Sequence, residues 1–282
     1  MKAGEPCNIC GSPAMARLFE KDGIPHLKCR HCGFIRSHPQ HNPNLTNVIA
    51  QFEPAYLEYL RPQPHDAKNF EWLISKIKKH KDLAGCRILD AGCGSGKFVR
   101  YLRRQGYAAY GLEPSKALYD QFLSGEEPFF HGTLTEHNVQ QRFDIITIID
   151  VLEHIDDPQL FVKAVTERLA PGGLVFISTP DSSSLPARLL KKRWHYYNRY
   201  HLSLFSRDNL RGLMAQHGFA QVDGGYVARY HSVHYMLQYM LNFVMRKKAE
   251  SPRFLQGRVV RVNLFDNMYG AFISRLPLQS AT

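Results

Sequence analysis

No stretch of this 282-residue chain approaches the roughly 20 consecutive apolar residues that a membrane-spanning helix needs. The N-terminal MKAGEPCNIC also lacks the apolar core of a secretory signal, so the sequence places the protein in the cytoplasm. Acidic residues are scarce in one region only: residues 186–282 hold 15 Lys/Arg against 4 Asp/Glu, while residues 86–185 hold 9 against 13. The net charge of +11 is therefore concentrated in the last third. Such an excess suits an anionic substrate, an acidic membrane surface, nucleic acid or simply a solvated basic face. No long Lys/Arg tract and no recognisable RNA-binding module accompany it, which weighs against nucleic acid. With 44% hydrophobic and 22% charged residues the chain is globular in composition, long enough for one domain of about 200 residues and a small appendage.

Cysteine is sparse, and four of the six fall into one pattern. Cys7 and Cys10 are separated by two residues, as are Cys29 and Cys32, and a glycine follows each pair. That spacing lets both thiolates of a knuckle face one ion, and four thiolates close the tetrahedral shell of a structural zinc. Two disulfides are the alternative, disfavoured in a reducing cytosol. Residues 1–40 are accordingly expected to form a four-cysteine zinc ribbon, with the metal supplying folding free energy that so short a segment lacks. Cys86 and Cys93 stand apart and read as small packing residues. A connector rich in Pro, Asn, Gln and His covers residues 41–69.

From residue 70 to the C-terminus the pattern alternates. FEWLISKIKKH reads as a helix, Arg87 to Asp90 as a strand, Phe98 to Gln105 as a helix, Ala108 to Glu113 as a strand and Lys116 to Leu123 as a helix. FDIITIID has the continuous β-branched character of a strand buried on both faces; an amphipathic helix, a Pro-Gly-Gly turn and another buried strand follow. Alternation of this kind predicts a doubly wound, mostly parallel α/β sheet that binds ligands at the carboxyl ends of its strands.

The first of those strand ends carries ILDAGCGSGK, residues 88–97. It is not a phosphate-binding P-loop, because Ala91 stands where that motif needs its first glycine and Phe98 where it needs Ser or Thr. Neither is it a dinucleotide fingerprint, whose third glycine would fall at Lys97. The spacing is G-x-G-x-G, through Gly92, Gly94 and Gly96, with Asp90 just ahead and Glu113 closing the next strand.

Joined to DVLEHIDDP and PGG in this order, these residues resemble the class I S-adenosylmethionine-dependent methyltransferases. The resemblance implies a Rossmann-like seven-stranded sheet. It implies that Asp90 sits near the methionine amine, that Gly92, Gly94 and Gly96 line the amino-acid and ribose portions, and that Glu113 holds the ribose. Leu134 would pack on the adenine, and Asp150 and Val151 would form the cofactor-side wall.

Glu153-His154 is similar to the Glu-His of small-molecule methyltransferases, and HLSLFS, residues 201–206, resembles a signature from sugar and surface-polysaccharide pathways. In related sugar C-methyltransferases, which also carry a cysteine zinc domain, the histidine at the position of His201 is the base. His201, His154 and His195 are the candidate bases; His154 is also readable as a brace for the helix after its strand, and His201 as a side chain that fixes the loop before the next helix. Lys191, Lys192, Arg193 and Arg199 beside Trp194, Tyr196 and Tyr197 suggest a surface for a sugar ring and a phosphate. The expected acceptor is therefore small and anionic, such as a nucleotide- or lipid-linked sugar. An RNA methyltransferase and a non-catalytic cofactor-binding scaffold are the alternatives. Residues 230–248 read as an inserted apolar helix followed by lysines, packing on protein or lying at a membrane surface. VVRVNLFDN and MYGAFIS read as the closing strand pair of the sheet.

Overall fold

The computed structural model describes residues 6–37, 60–136, 141–233, 237 and 257–275. Strands β1 (Met15–Lys21), β2 (Ile24–Cys29) and β3 (Ile35–Ser37) make an antiparallel ribbon around the four cysteines. The chain then runs through α1 (Asp66–Lys78), β4 (Arg87–Ala91), α2 (Lys97–Arg104), β5 (Ala108–Glu113), α3 (Lys116–Phe122) and β6 (Phe129–His131). It continues with β7 (Phe143–Ile149), α4 (Pro158–Arg168), β8 (Leu169–Pro180), α5 (Leu185–Leu190), β9 (Ser203–Leu204) and α6 (Arg207–Gln216). Strands β10 (Phe219–Tyr226), β11 (Arg229–Ser232), β12 (Val259–Val262) and β13 (Asn267–Ser274) complete it.

Seven strands form the central sheet in the order β10-β13-β8-β7-β4-β5-β6. The five from β4 to β8 are mutually parallel, and β13 runs antiparallel to both β8 and β10. The middle strands are apolar because helices cover both faces. Phe143, Ile145, Ile146 and Ile148 of β7 are fully buried, each stabilising the fold by about 1.5–3 kcal/mol. One layer packs Val162, Val165, Leu213 and Met214 of α4 and α6, and the other packs Leu73, Ile77, Val99 and Leu102 of α1 and α2. Because β4 has β5 on one side and β7 on the other, the winding reverses between them, which opens a crevice at their carboxyl ends.

Three expectations change. The closing pair of the sheet is β10 with β13, so MYGAFIS is placed as expected but VVRV is not. β12, which holds VVRV, pairs with β11 in a separate two-stranded ribbon, where its exposed Arg261 is tolerated. Of the segment read as a helix from residue 230, Tyr230 to Ser232 lie in β11, and residues 234–236 and 238–256 fall outside the described residues. The Pro-Gly-Gly turn is contained within the long strand β8.

The ribbon does not stand clear of the main body. Its edge strand β3 pairs with β9, Ile35 opposite Leu204 and Arg36 opposite Ser203, so the ribbon's sheet has four strands in the order β1-β2-β3-β9. Ser37 N donates to Leu202 O at 2.9 Å, Asn209 Nδ2 donates to Cys32 O at 2.7 Å, and Phe34 packs on Phe205. A reciprocal capping box between Ser206 and Asn209 starts α6 immediately after β9 and fixes that end of the HLSLFS segment.

Candidate active site

A cavity of about 590 Å³ occupies the crevice. One wall is the glycine loop after β4. Gly92 has φ +81°, and a Cβ there would lie 2.5 Å from the Val151 side chain, so only glycine lets the two strand ends approach. Gly96 is held the same way: φ is +74°, and a Cβ would meet the Phe129 ring at 2.7 Å. Gly92 and Gly94 line the cavity, whereas Gly96 faces inward as the N-cap of α2. Lys97 opens α2 and pairs with Asp66 at 3.1 Å, while Ser95 Oγ donates to Leu60 O at 2.6 Å. The start of α1 is thereby tied to the loop.

Asp90 lines the cavity and accepts a hydrogen bond from Thr147 Oγ1 at 2.7 Å. Burial raises its carboxyl to about 6, against the opposing effect of that bond. Glu113 accepts from Ser115 N and Gly94 N, each at 2.8 Å, one on each oxygen. Burial raises it to about 7 despite these two bonds. It thus buttresses the glycine loop from behind. Val151 stands against Gly92, and Leu134 is packed in the apolar core; neither is among the residues lining the cavity.

The opposite wall is assembled from five separate segments. Asp150 follows β7 at φ +54° and accepts from Ser178 Oγ, Asn267 Nδ2 and the Arg229 guanidinium. Burial opposes its ionisation, but the Arg229 charge outweighs that and holds the carboxyl below its ordinary range. Glu153 is buried and accepts from Thr179 Oγ1 at 2.9 Å; burial, then the Asp150 charge, pushes it up to about 8. Glu153, ordinarily near 4.5, stays protonated in the folded state up to about pH 8, so the native protein binds the extra proton and stability falls as pH rises through that window. Glu153→Gln, which cannot ionise, is therefore expected to raise Tm at pH 8 and to match the wild type below pH 4.5, measured by thermal melts at both.

His154 and His201 meet here with ring centroids 5.0 Å apart. His154 Nδ1 is 2.7 Å from Tyr200 O and His201 Nδ1 is 2.8 Å from Tyr196 O. A carbonyl only accepts, so each Nδ1 carries the proton and each Nε2 presents a lone pair. Burial lowers both imidazoles, and the neighbouring His154 helps bring His201 to about 3. One ligand atom from each of Glu153, His154 and His201 lies within 4.8 Å of the others. His195 and Tyr196 also line the cavity, their rings 4.0 Å apart.

Some of this was hidden in the sequence. Arg229 and Asn267, which fix Asp150, come from β11 and β13 with no motif to announce them. The aromatic surface expected at residues 194–197 is largely interior: Trp194 is fully buried against Ile35, Leu204 and Ala187, and donates its indole N–H to Asp266 at 3.3 Å. Tyr197 is buried with it, leaving Tyr196 as the aromatic of the three that lines the cavity. The basic Lys191, Lys192, Arg193 and Arg199 lie exposed outside it.

In the ribbon, Cys7 and Cys32 sulfurs are 3.6 Å apart, Cys10 and Cys29 sulfurs 3.7 Å, and all four lie within 4.8 Å of one another. Bonds of about 2.3 Å at tetrahedral angles put sulfurs roughly 3.8 Å apart, so the arrangement fits a four-thiolate ion. None of the six cysteines is in a disulfide.

A sheet of this order with its glycine loop at the reversal point defines a methyltransferase fold. The methyltransferase-domain family profile matches residues 56–223, and the chain belongs to that family. It is 32% identical over 149 residues to a ubiquinone biosynthesis O-methyltransferase of Agrobacterium fabrum, covering 50% of this chain and 57% of that protein. It is 37% identical over 105 residues to one from Salmonella enteritidis PT4, covering 34% and 43%. The chain spans about half the length of the curated relatives it matches. Among solved structures, a Thermotoga maritima S-adenosylmethionine-dependent methyltransferase, described as a possible histamine N-methyltransferase, superposes with TM-score 0.53 at 17% identity, covering 83% of this chain and all of that one. An Archaeoglobus fulgidus methyltransferase gives 0.53 at 14%, covering 79% and 100%. These two likenesses concern the fold.

Proposed function

We propose that this protein transfers a methyl group from S-adenosylmethionine to a hydroxyl of a small-molecule acceptor. The observation that carries the reading is one cavity that joins Asp90, Gly92 and Gly94 on one wall to His154 and His201 on the other. The glycine loop fits the cofactor because backbone, free of Cβ atoms, faces the space beside buried Asp90, with buried Glu113 behind the loop and outside the cavity lining. Asp90 would meet the amino group and Glu113 the ribose hydroxyls, exchanging its bond to Gly94 N for them. The cofactor supplies an activated methyl group, so the protein's task is to align the nucleophile and remove its proton. A neutral imidazole Nε2 can accept that proton, and two converge on the same space.

Oxygen as the nucleophile is supported by the curated relatives, which are named as O-methyltransferases. A quinone precursor's ring hydroxyl or a sugar hydroxyl would both present the donor that these lone pairs accept. The sugar or sugar-conjugate acceptor rests on HLSLFS, whose His201 and neighbouring Tyr196 line the cavity. Carboxyl groups of Asp90, Asp150, Glu153 and Asp266 line it too, so the reacting part of the acceptor is neutral, with any phosphate left to the exposed basic residues at 191–193 and 199. The four cysteines hold a structural zinc. Incubating the zinc-loaded protein with S-adenosylmethionine and a panel of phenols, catechols and sugar conjugates, with products read by mass spectrometry, is expected to yield a product about 14 Da heavier, the mass a methyl group adds in place of the proton the base removes. Products carrying methyl only on nitrogen or carbon would contradict the assignment to oxygen.

A further inference from the structure

Five of the large apolar side chains exposed on the described surface belong to two neighbouring segments. α5 turns only Ala187 inward, beneath an N-cap in which Ser184 Oγ accepts from Ala187 N. Its outward residues Leu185 and Leu189, one helical turn apart, are 65% and 71% exposed, and Leu190 is 47% exposed. The second segment is the turn into β13, where Leu264 and Phe265 are 60% and 57% exposed. The two are linked: Trp194 Nε1 bonds Asp266, Arg188 lies within electrostatic reach of Tyr226, and the Phe265 ring meets Tyr226 edge-on at 5.5 Å.

Charge follows the leucines directly. Lys191 at φ +49° ends α5, and Lys191, Lys192 and Arg193 form an exposed single turn before the chain is anchored by buried Trp194. From Ser182 to Arg207 the sequence contains no Asp or Glu, while Arg188, Lys191, Lys192, Arg193, Arg199 and Arg207 are all basic. The adjoining acids Asp181 and Asp266 are buried. Leu264, His195 and Tyr196 line the cavity, so this apolar and basic rim borders its mouth.

We infer that this rim docks the protein on an anionic lipid surface, with Leu185, Leu189, Leu190, Leu264 and Phe265 entering the acyl boundary and Lys191, Lys192 and Arg193 meeting headgroup phosphates. Exposed leucines followed by lysines, without an acid between them in the sequence, match both layers of such a surface. Single-stranded nucleic acid fits less well: it needs a row of exposed rings to stack on, and of the rings here Phe265 is exposed while Trp194 and Tyr197 are interior. A docked protein would face its cavity toward molecules carried in the bilayer. No helix among the described residues is long and apolar enough to cross it.

Co-sedimentation of the full chain with vesicles, without any acceptor, tests this separately from methyl transfer. Binding is expected to phosphatidylcholine vesicles containing phosphatidylglycerol, weak to phosphatidylcholine alone, and lower as salt rises. Lys191→Glu with Lys192→Glu should reduce partitioning by about 25-fold or more, at roughly fivefold for each basic residue lost. Leu185→Ser with Leu189→Ser should reduce it by about fivefold or more, given the apolar area withdrawn from the acyl boundary. All four substitutions are at exposed positions, and unchanged S-adenosylhomocysteine binding in both variants would verify their folding. Failure of the wild type to sediment with anionic vesicles overturns the inference. So does a serine variant that sediments like the wild type, or equal binding to uncharged vesicles.

Discussion

His201→Ala is expected to lower kcat by a factor of about 10² to 10⁴, the usual range for a general base, with S-adenosylhomocysteine affinity unchanged. The imidazole sits in the cavity wall across from the glycine loop, where the acceptor is proposed to bind, and its Nδ1 is committed to Tyr196 O. That commitment leaves Nε2 as the proton acceptor. His154 is 5.0 Å away by ring centroid and likewise committed through Nδ1, so the two share the task, and the double variant should be no slower than the worse single one if they act as a unit. The pH profile provides an independent readout. An ordinary histidine base is lost as pH falls through 6.5; here burial lowers both imidazoles, His201 to about 3, so a histidine-limited rate stays near its plateau at about pH 6 and declines only in more acid solution. Steady-state kinetics with saturating cofactor would show it. Full activity of both single variants and of the double variant would leave alignment alone as the mechanism.

The second large effect comes from the far side of the ribbon. Cys29→Ser, or treatment of the protein with a chelator that would strip the proposed zinc, is expected to abolish methyl transfer while leaving cofactor binding in place. A structural zinc contributes on the order of 10–16 kcal/mol to apparent folding in small fingers, more than a segment of this size can replace. The effect reaches the site through hydrogen bonds. Ser37 Oγ donates to His201 O, Ser37 N to Leu202 O, and Leu202 N to Glu153 O, so the ribbon's last strand holds both the His201 loop and the Glu153–His154 turn. The glycine loop receives none of these contacts. Amide exchange provides the readout besides activity: protection at Ile35, Ser37, Leu202 and Leu204 should vanish on metal loss, while protection in β4 and β5 persists. Intact protection and activity after complete metal removal would show the ribbon to be a passive appendage.

How far the sequence announced these features depended on whether a feature was local. β7 is a run of apolar, largely β-branched residues covered on both faces, β4 and β5 are short strands marked by the glycine turn and by Glu113 at their ends, and the bounds of all three were readable to within a residue. The glycine spacing was equally local, since each glycine answers to a backbone angle or a close neighbour. β10 was not readable: FAQVDGGY holds an aspartate and two glycines, and it is a strand because β13 supplies the ladder at the sheet edge. VVRV looked like the better strand and is one, but in the ribbon with β11 beside the cavity. The second wall of the site was legible only in parts. His154 and His201 could be named, but their meeting, their tautomers and the support from Ser37, Arg229 and Asn267 depend on contacts between residues distant in the chain. Trp194 looked like a ligand platform because a basic, aromatic string gives no sign of which rings turn inward.

Isothermal titration of the zinc-loaded protein with S-adenosylhomocysteine tests the central claim most directly. Single-site binding is predicted, weakened about tenfold or more in Glu113→Ala, the loss expected for a hydrogen bond to a charged group. Because burial sets the Glu113 carboxyl at about 7 and ribose hydroxyls favour its ionised form, affinity should also fall as pH drops below about 7. Absence of binding by the wild type, or equal affinity in Glu113→Ala at every pH, would contradict the account.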